Sequence, residues 1–275
     1  MKPVDAPPRP GFPLRMPSDS GKADAPKVIA ARARETWPAA LKHTPKRALT
    51  PISGVAAGVG LDSQAVRARM VQKLAAQGVQ DSRVLAAMAQ VERHRFVDSA
   101  LVNQAYEDTS LPIGLGQTIS KPNVVARMLE LLVKDRHGKL GRVMEIGTGC
   151  GYQAALLAQL ATEVYSIERL RGLHDKARDN LRPMRVGNLH LLFGDGMVGY
   201  AKGAPYAAII AAAGGEALPQ AWIDQLAVGG RLVAPVQGAN GAQALVVVDK
   251  TAHGTTQTLL EAVHFVPLKS GTSPT

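Results

Sequence analysis

The stretch Val143-Met-Glu-Ile-Gly147-Thr-Gly149-Cys-Gly151-Tyr-Gln153 passes from a short apolar run through three alternating glycines into a helical pattern. The run over 142–146 predicts a strand, and the pattern over 154–160 predicts a helix. Glycine has no Cβ, so a ligand at such a junction can lie against bare backbone. The spacing is E-x-G-x-G-x-G and not the dinucleotide pattern G-x-G-x-x-G, because Tyr152 stands at the sixth position. The junction therefore predicts a strand, a tight turn and a helix that bind a nucleotide-like cofactor.

Composition limits the class of protein. The chain has 275 residues, 46% of them hydrophobic, which is enough for one large domain or one domain with appendages. A single cysteine excludes an internal disulfide framework and fits a reducing compartment. The seven histidines are scattered, with no H-E-x-x-H motif and no Cys/His cluster, so no metal is expected. No apolar run has the length of a membrane span or the form of a signal peptide, and we expect a cytoplasmic protein without membrane contact.

The basic charge is concentrated at the amino-terminal end. The formal net charge is +10, and residues 1–60 carry ten Lys and Arg against four Asp and Glu, a net of +6. Residues 61–275 carry twenty-two against eighteen, a net of only +4. The first segment also holds ten of the eighteen prolines and no periodic apolar pattern, which predicts a disordered, solvated leader. A basic arm that touches an acidic partner is the alternative.

The order of the predicted elements indicates the fold class of a single domain over 61–275. Residues 61–120 form a helical extension, in which one helix begins after Asp62 or Ser63 and a loop-like segment covers 106–120. In the core, 121–275, strands and helices alternate, which predicts an α/β fold with a doubly wound, mostly parallel sheet and an antiparallel C-terminal edge. The predicted elements are helices from Asp81 or Ser82 to about 91 and at 121–133, 154–160, 170–184 and 219–226, and strands at 142–146, 164–167, 189–193, 207–211, 231–235, 244–248 and 263–266.

Glycines and acidic residues follow three of the predicted strands, at the carboxyl ends where such sheets bind ligands. The first group is the turn with Gly147 and Gly149. The second is Glu168, nineteen residues after Gly149, whose carboxylate suits the two hydroxyls of a ribose. The third is Asp195, which can reach an adenine amino group while Gly196 lets the backbone approach the ring. In this order and spacing the three groups predict a site for S-adenosylmethionine.

Glu145 lies inside the first core strand, two residues before Gly147. Its carboxylate either pairs with the amino group of the cofactor or satisfies backbone donors. The E-x-G-x-G-x-G pattern that it begins resembles the first motif of the S-adenosylmethionine-dependent methyltransferases. That resemblance implies a Rossmann-like methyltransferase sheet over 121–275 and S-adenosyl-L-methionine as the co-substrate.

A second motif, Pro112-Ile-Gly114-Leu-Gly116-Gln117-Thr118-Ile119-Ser120, lies upstream of the glycine turn. With this run, the chain resembles the protein-L-isoaspartate (D-aspartate) O-methyltransferases over about residues 61 to 268. The resemblance also includes Arg93-His94-Arg-Phe96-Val97, Gly194-Asp195-Gly196, Gln225-Leu226, Gly229-Gly230-Arg231-Leu232-Val233, Gln243 and Phe265-Val266-Pro267-Leu268.

This resemblance implies methyl transfer from S-adenosyl-L-methionine to the free carboxylate of L-isoaspartyl and D-aspartyl residues in damaged peptides and proteins, which initiates their repair. It makes Ser120 the active-site serine, with Thr118 and Ile119 on the same wall, and it places Gln243 among the cofactor-binding residues. Ser120 also precedes Lys121-Pro122 at a helix start, which is an ordinary N-cap arrangement, and the two roles can coexist.

Two other functions stay open. The basic charge suggests a methyltransferase that acts on nucleic acid, although the D/N-P-P-Y/F turn of amino-methylating enzymes is replaced by alanines and glycines after the fourth core strand. Ala207 and Ala211 stand in that strand, and Ala207 replaces an acidic residue common in the family, which suggests a catalytically weakened module that still binds S-adenosylmethionine. The leading hypothesis predicts isoaspartyl peptides and damaged or unfolded proteins as partners, no stable nucleic-acid complex, and a monomer.

Overall fold

The computed structural model describes residues 64–238 and 241–274. The predicted leader at 1–60 and the predicted caps Asp62 and Ser63 lie outside these ranges. No helix within them combines the length and the apolar character that are needed to cross a bilayer.

A helical extension precedes the core sheet. Its elements are α1 (Gln64–Ala76), α2 (Ser82–Gln90), 3-10 turns at Arg93–Phe96 and Ser99–Gln104, and the strands β1 (Leu111–Gly114) and β2 (Gln117–Ile119). α1 buries Met70 and Leu74, as their helical spacing predicts. The carboxylate of Asp81 accepts hydrogen bonds from the backbone N–H groups of Arg83 and Val84, so α2 begins where it was predicted, with Asp81 as its N-cap.

The segment predicted as a loop over 106–120 contains a β-hairpin. β1 and β2 pair in antiparallel orientation, with Leu111 opposite Ile119. The tip lies in the left-handed region, with φ of 98° at Gly114, 51° at Leu115 and 68° at Gly116. The loop prediction is wrong for the two strands, because four and three residues are too few to show an apolar alternation.

The core is a seven-stranded sheet with the order β5-β4-β3-β6-β7-β8-β9. Strands β3 to β7 are parallel, and β8 and β9 are antiparallel at one edge, which confirms the predicted fold class. The core elements are α3 (Pro122–Val133), β3 (Leu140–Ile146), α4 (Tyr152–Leu160), β4 (Ala161–Glu168), α5 (Arg171–Leu181), β5 (Leu189–Phe193), β6 (Tyr206–Ala211), α6 (Gln220–Gln225), β7 (Leu226–Gln237), β8 (Gln243–Thr251) and β9 (Gly254–Val263), with 3-10 turns at Arg182–Met184, Gly196–Val198 and Ala201–Gly203.

The strand order reverses at β3, and this reversal positions the site. From β3 the chain proceeds outward through β4 and β5, and it then returns to the other side of β3 with β6 and β7. The carboxyl ends of β3 and β6 therefore border a crevice in which doubly wound sheets bind ligands. Gly147 follows β3 at this point, and Ala212 follows β6.

The sheet separates two apolar cores. Neighbouring residues on one strand point to opposite faces, so Val143 belongs to one core and Met144 to the other. The larger core includes residues of α1 to α5, whereas the smaller contains Trp222 of α6. Both faces of the sheet are covered, but most of the helical mass lies on one of them.

The last strand differs from its prediction. A strand was expected over 263–266, but β9 spans Gly254–Val263 and the chain after it is irregular. β9 is an edge strand whose side chains are almost all exposed. Apolar alternation requires one buried face, so a polar edge strand does not produce it.

We expect Gly151→Ala to destabilise the fold, because the turn after β3 depends on this glycine. Gly151 has a φ of 93°, and a Cβ here would lie 2.8 Å from Leu181 Cδ1. Strain and overpacking together should lower the free energy of unfolding by about 2 kcal/mol, measured by urea denaturation. The control Gly187→Ala has no atom within 4 Å of the added Cβ and should cost nothing. Equal stability of the two variants would contradict the prediction.

Candidate active site

A cavity of about 460 Å³ lies at the carboxyl ends of β3, β4 and β6, a size that suits a small-molecule ligand. Its wall also includes the β1–β2 hairpin and the segment 266–269. Seven of the predicted site residues line it: Thr118, Ile119, Ser120, Gly147, Gly149, Glu168 and Gly196. The structure thus brings the three predicted strand ends and the upstream motif to one place. The contacts of these residues with a cofactor remain predictions.

The glycine turn forms the part of the wall after β3. Gly147 has a φ of 89° and Gly149 a φ of 56°, values at which residues with a Cβ are strained. The Gly147 N–H donates to Ile167 O at 2.9 Å, which ties the turn to the neighbouring strand. A Cβ at Gly149 would lie 3.2 Å from Ile113 Cδ1 of the hairpin. The turn is therefore closely packed as well as bare on its cavity side.

Glu168 ends β4 beside this turn, and its side chain is nearly buried. Its Oε2 accepts a hydrogen bond from the Gly149 N–H at 2.9 Å, and its Oε1 accepts one from the Leu170 N–H at 2.9 Å. A carboxylate has about four acceptor positions, so two remain for hydroxyl groups in the cavity. The arrangement suits the ribose contact that the spacing predicts.

Ser120 follows β2 and lines the cavity without capping a helix. The N-cap of α3 is Lys121, Pro122 occupies the first turn, and no side chain caps the helix from that position. The backbone N–H of Asn123 is instead satisfied by Asp108 Oδ1 at 2.9 Å. The N-cap interpretation of Ser120 is therefore wrong. Among the described residues, nothing holds the Ser120 hydroxyl, which leaves it available to a ligand.

Glu145 is fully buried and does not line the cavity. Its Oε2 accepts a hydrogen bond from the Ser166 hydroxyl, and Ser166 Oγ lies 2.6 Å from Thr148 Oγ1 on the cavity wall. Its Oε1 is buried without a hydrogen-bond partner in the described chain. Burial raises the pKa of Glu145 to about 8, so this side chain is largely protonated at neutral pH. It is linked to the cavity wall by the Ser166 and Thr148 hydroxyl groups and by the side chain of Gln153, which lines the cavity.

Asp195 and Gln243 also lie off the cavity wall. Asp195 Oδ1 accepts from the Met197 N–H at 2.8 Å, and Oδ2 accepts from the Gly271 N–H at 2.6 Å. The Gln243 amide accepts from the Phe265 N–H at 2.6 Å and donates to Phe265 O at 3.1 Å. Both side chains therefore hold the C-terminal segment that supplies part of the wall, and their contact with a cofactor stays a prediction.

Sequence reasoning missed part of the wall. Residues 266–269 line the cavity next to Ala212 and Ala213, and Gly214 pairs with this segment through its N–H to Val266 O at 2.9 Å. The motif Phe265-Val266-Pro267-Leu268 carries part of the family resemblance, but its pattern did not predict that the segment lines the site. Arg169 and Leu170 also line the cavity, and their position directly after Glu168 could have indicated it. In the described part of the chain, no three His, Cys, Asp or Glu side chains are grouped to hold a metal ion.

Known proteins are similar to this chain over most of its length. The family model described as Protein-L-isoaspartate(D-aspartate) O-methyltransferase matches residues 65–273. A protein-L-isoaspartate O-methyltransferase of Methylibium petroleiphilum is 58% identical over 270 residues, which cover 96% of this chain and 97% of the relative. One of Leptothrix cholodnii is 56% identical over 280 residues, which cover 97% of this chain and 96% of the relative.

Solved structures share the fold. A protein-L-isoaspartate O-methyltransferase superposes with a TM-score of 0.68 at 26% identity, covering 74% of this chain and 66% of the other. A second, described as a protein-L-isoaspartate O-methyltransferase of Plasmodium falciparum in complex with S-adenosyl-L-homocysteine, has a TM-score of 0.64 at 24% identity, covering 74% of this chain and 98% of the other. At that identity the second likeness shows the fold alone.

We expect Glu145→Gln to remove a pH dependence of stability. The pKa of Glu145 is about 8 in the folded protein against an ordinary value of 4.5, so the folded state keeps a proton that the unfolded chain releases. The resulting stability is complete below the ordinary value and is lost as pH rises toward 8. Between about pH 5.5 and 8, the free energy of unfolding of wild type should therefore fall by on the order of 2 kcal/mol relative to that of the variant.

Urea denaturation of both proteins at the two pH values measures this difference. The exposed Glu216→Gln serves as the control and should track wild type at both values. A Glu145→Gln difference that is independent of pH would mean that Glu145 is ionised in the folded protein.

Proposed function

The chain belongs to the protein-L-isoaspartate(D-aspartate) O-methyltransferase family, and we propose that it transfers a methyl group from S-adenosyl-L-methionine to the free carboxylate of L-isoaspartyl and D-aspartyl residues in damaged peptides and proteins. This reaction initiates repair of the damaged residue. The observation that carries the proposal for this chain is the uncommitted hydroxyl of Ser120 in the cavity that the glycine turn and Glu168 also line.

The residues present fit S-adenosyl-L-methionine. Glu168 has acceptor positions left for the ribose hydroxyls, and the bare backbone of Gly147 and Gly149 permits close approach. Gly196 also lines the cavity, and it must be glycine to pack there, because a Cβ would lie 2.5 Å from Ile146 Cγ2. When bound, S-adenosyl-L-methionine supplies a methyl group attached to a positively charged sulfur. Membership of the methyltransferase family supports this assignment.

The acceptor needs orientation more than activation. A carboxylate with an ordinary pKa of about 3.9 is already ionised at neutral pH, so the protein does not have to remove a proton from it. Its task is to align the attacking oxygen and to hold the other one. The Ser120 hydroxyl can donate to that second oxygen without neutralising the charge. The buried apolar side chains of Ile113 and Ile119 line the same cavity and exclude water from it.

The weakened-module hypothesis is not favoured by the position of Ala207. This residue stands near the amino end of β6, where its Cβ would lie 3.1 Å from a Cβ placed on Gly141. The cavity lies beyond the other end of the strand, after Ala211. Replacement of an acidic side chain at Ala207 therefore alters no part of the cavity wall. Nothing in the described structure favours a nucleic-acid substrate, so the isoaspartyl reaction stands as the proposal.

The substrates we propose are peptides and partly unfolded proteins. A residue enters an enclosed cavity only if the chain on both sides of it is extended and flexible, as in ageing polypeptides. The single cysteine, Cys150, is buried and unpaired, which supports a reducing compartment such as the cytoplasm. Action as a monomer remains our prediction.

We expect Ser120→Ala to lower methyl transfer to an isoaspartyl peptide by about 10- to 100-fold, because one positioned donor to the substrate carboxylate is lost. Its affinity for S-adenosyl-L-homocysteine should change little. Radiolabelled methyl transfer and calorimetric titration measure the two effects. Ser110→Ala, an exposed serine just before the hairpin, is the matched control and should behave as wild type. Unchanged methyl transfer in Ser120→Ala would contradict the role proposed for this hydroxyl.

We expect Glu168→Gln to weaken S-adenosyl-L-homocysteine binding by at least about tenfold, because a charge-assisted acceptor becomes a neutral amide. The amide N–H₂ also faces one of the two backbone N–H groups that the carboxylate accepts. Glu163→Gln, at the opposite end of β4, is the control and should keep wild-type affinity. Equal affinities of the two variants would show that Glu168 does not contact the cofactor.

A further inference from the structure

Arg93 is a fully buried cation without an ion-pair partner in the described chain. It begins the first 3-10 turn, and none of its side chain is exposed. No carboxylate oxygen among the described residues lies within 4.0 Å of its guanidinium, and the attraction from Asp108 acts over a longer distance. Such a charge is costly to bury unless something compensates for it.

The guanidinium is held by neutral groups. Its Nε donates to Ala105 O at 2.8 Å, and its Nη2 donates to Ser120 O at 2.7 Å. Its carbon lies 4.9 Å from the centre of the Tyr152 ring. The remaining nitrogen, Nη1, is buried and has no hydrogen-bond partner in the described residues. Arg93 therefore keeps an unneutralised positive charge, and beside Nη1 only the neutral Tyr152 hydroxyl is near, without the geometry of a standard hydrogen bond.

This charge lies directly behind the wall that carries Ser120. Ser120 and Tyr152 both line the cavity, and Arg93 contacts each of them. The bond to Ser120 O also fixes the peptide that presents the Ser120 hydroxyl. Any anion held by that hydroxyl would therefore lie across the Ser120 peptide from a fully buried cation, where Coulomb attraction is stronger than between charges on the surface.

Other nearby cations are neutralised or screened. Lys176 Nζ lies 2.9 Å from Asp98 Oδ1 and donates to Ile113 O, so its charge is compensated. Arg169 and Lys269 line the cavity, but Lys269 is exposed and Arg169 is half-buried, so water screens them.

We propose that Arg93 is the positioning residue that makes the site selective for an anionic acceptor. It aligns Ser120 through the carbonyl of that residue, and its charge is compensated when the isoaspartyl carboxylate binds. The inference rests on the proposed function and adds to it the origin of the carboxylate preference.

The decisive measurement compares an isoaspartyl peptide with its α-carboxamide, which has the same β-linked backbone and no charge. Calorimetry gives the dissociation constant of each peptide with S-adenosyl-L-homocysteine present in excess. In wild type the acid should bind more tightly than the amide. In Arg93→Gln the ratio of the amide dissociation constant to the acid dissociation constant should fall by about tenfold or more, whereas the affinity for S-adenosyl-L-homocysteine alone should stay unchanged.

Two variants separate charge from structure. Arg93→Lys keeps the charge but loses the fork that binds Ala105 O and Ser120 O, so it should retain most of the ratio with a lower kcat. Arg231→Gln is the matched control, since Arg231 is also a largely buried arginine that donates to two backbone carbonyls, those of Leu131 and Lys134. It should lower stability and leave the ratio intact.

An unchanged ratio in Arg93→Gln would overturn the proposal. A second result would also overturn it: the preference for the acid falls equally in both Arg93 variants, and their affinity for S-adenosyl-L-homocysteine falls in parallel. Arg93 would then have only a structural role. If Arg93→Gln does not fold, the salt dependence of the wild-type ratio provides the test. The ratio should change little from about 50 to 500 mM NaCl, because a buried charge is poorly screened. A large decrease would mean that exposed cations cause the preference and would overturn the proposal. Wild type that methylates no isoaspartyl peptide would instead refute the proposed function itself.

Discussion

The carboxylate of Glu168 is the interaction on which the cofactor side of the cavity depends. It accepts the N–H of Gly149 and the N–H of Leu170, and these belong to the turns after β3 and after β4. One side chain therefore joins two consecutive βα turns of the parallel sheet. Buried N–H groups need partners, so loss of this acceptor would leave two unsatisfied donors as well as an incomplete ligand site. The fold requires an acceptor at this position, and the predicted ribose contact would require the same carboxylate.

The sheet and the cofactor side of the site could be predicted from the sequence because their signals are local. The strand before Gly147 and the helix after Gly151 each show their own period, and Glu168 ends the next apolar run. Asp195 and Gln243 show the limit of this reasoning. Their contacts with the cofactor stay predictions, but their hydrogen bonds to Gly271 and Phe265, 76 and 22 residues further along the chain, could not be predicted from a local pattern. The C-terminal wall at 266–269 was missed for the same physical reason.

Assigning a residue to a strand does not show whether it lies at the end of the strand that borders the ligand site. Ala207 was correctly placed in the strand before the alanine and glycine run, but its position near the amino end of β6 removes it from the cavity. The Ser120 cap failed in a similar way, because the helix begins one residue later than the pattern suggested and Asp108 reaches its amino end from outside the helix. Pairing and capping by distant side chains determine these details, and only the folded chain brings such side chains together.

The proposed reaction explains why the buried cation is set back from the acceptor. An anionic acceptor loses its charge as it takes the methyl group, so a strong positive charge in direct contact with its carboxylate would stabilise the reactants more than the transition state. At the acceptor, the group in position for contact is the neutral hydroxyl of Ser120, and Arg93 is separated from the cavity by the Ser120 peptide. This arrangement attracts and orients a carboxylate without a direct ion pair that would reduce its nucleophilicity. An arginine in direct contact would bind the substrate more tightly but would slow the transfer.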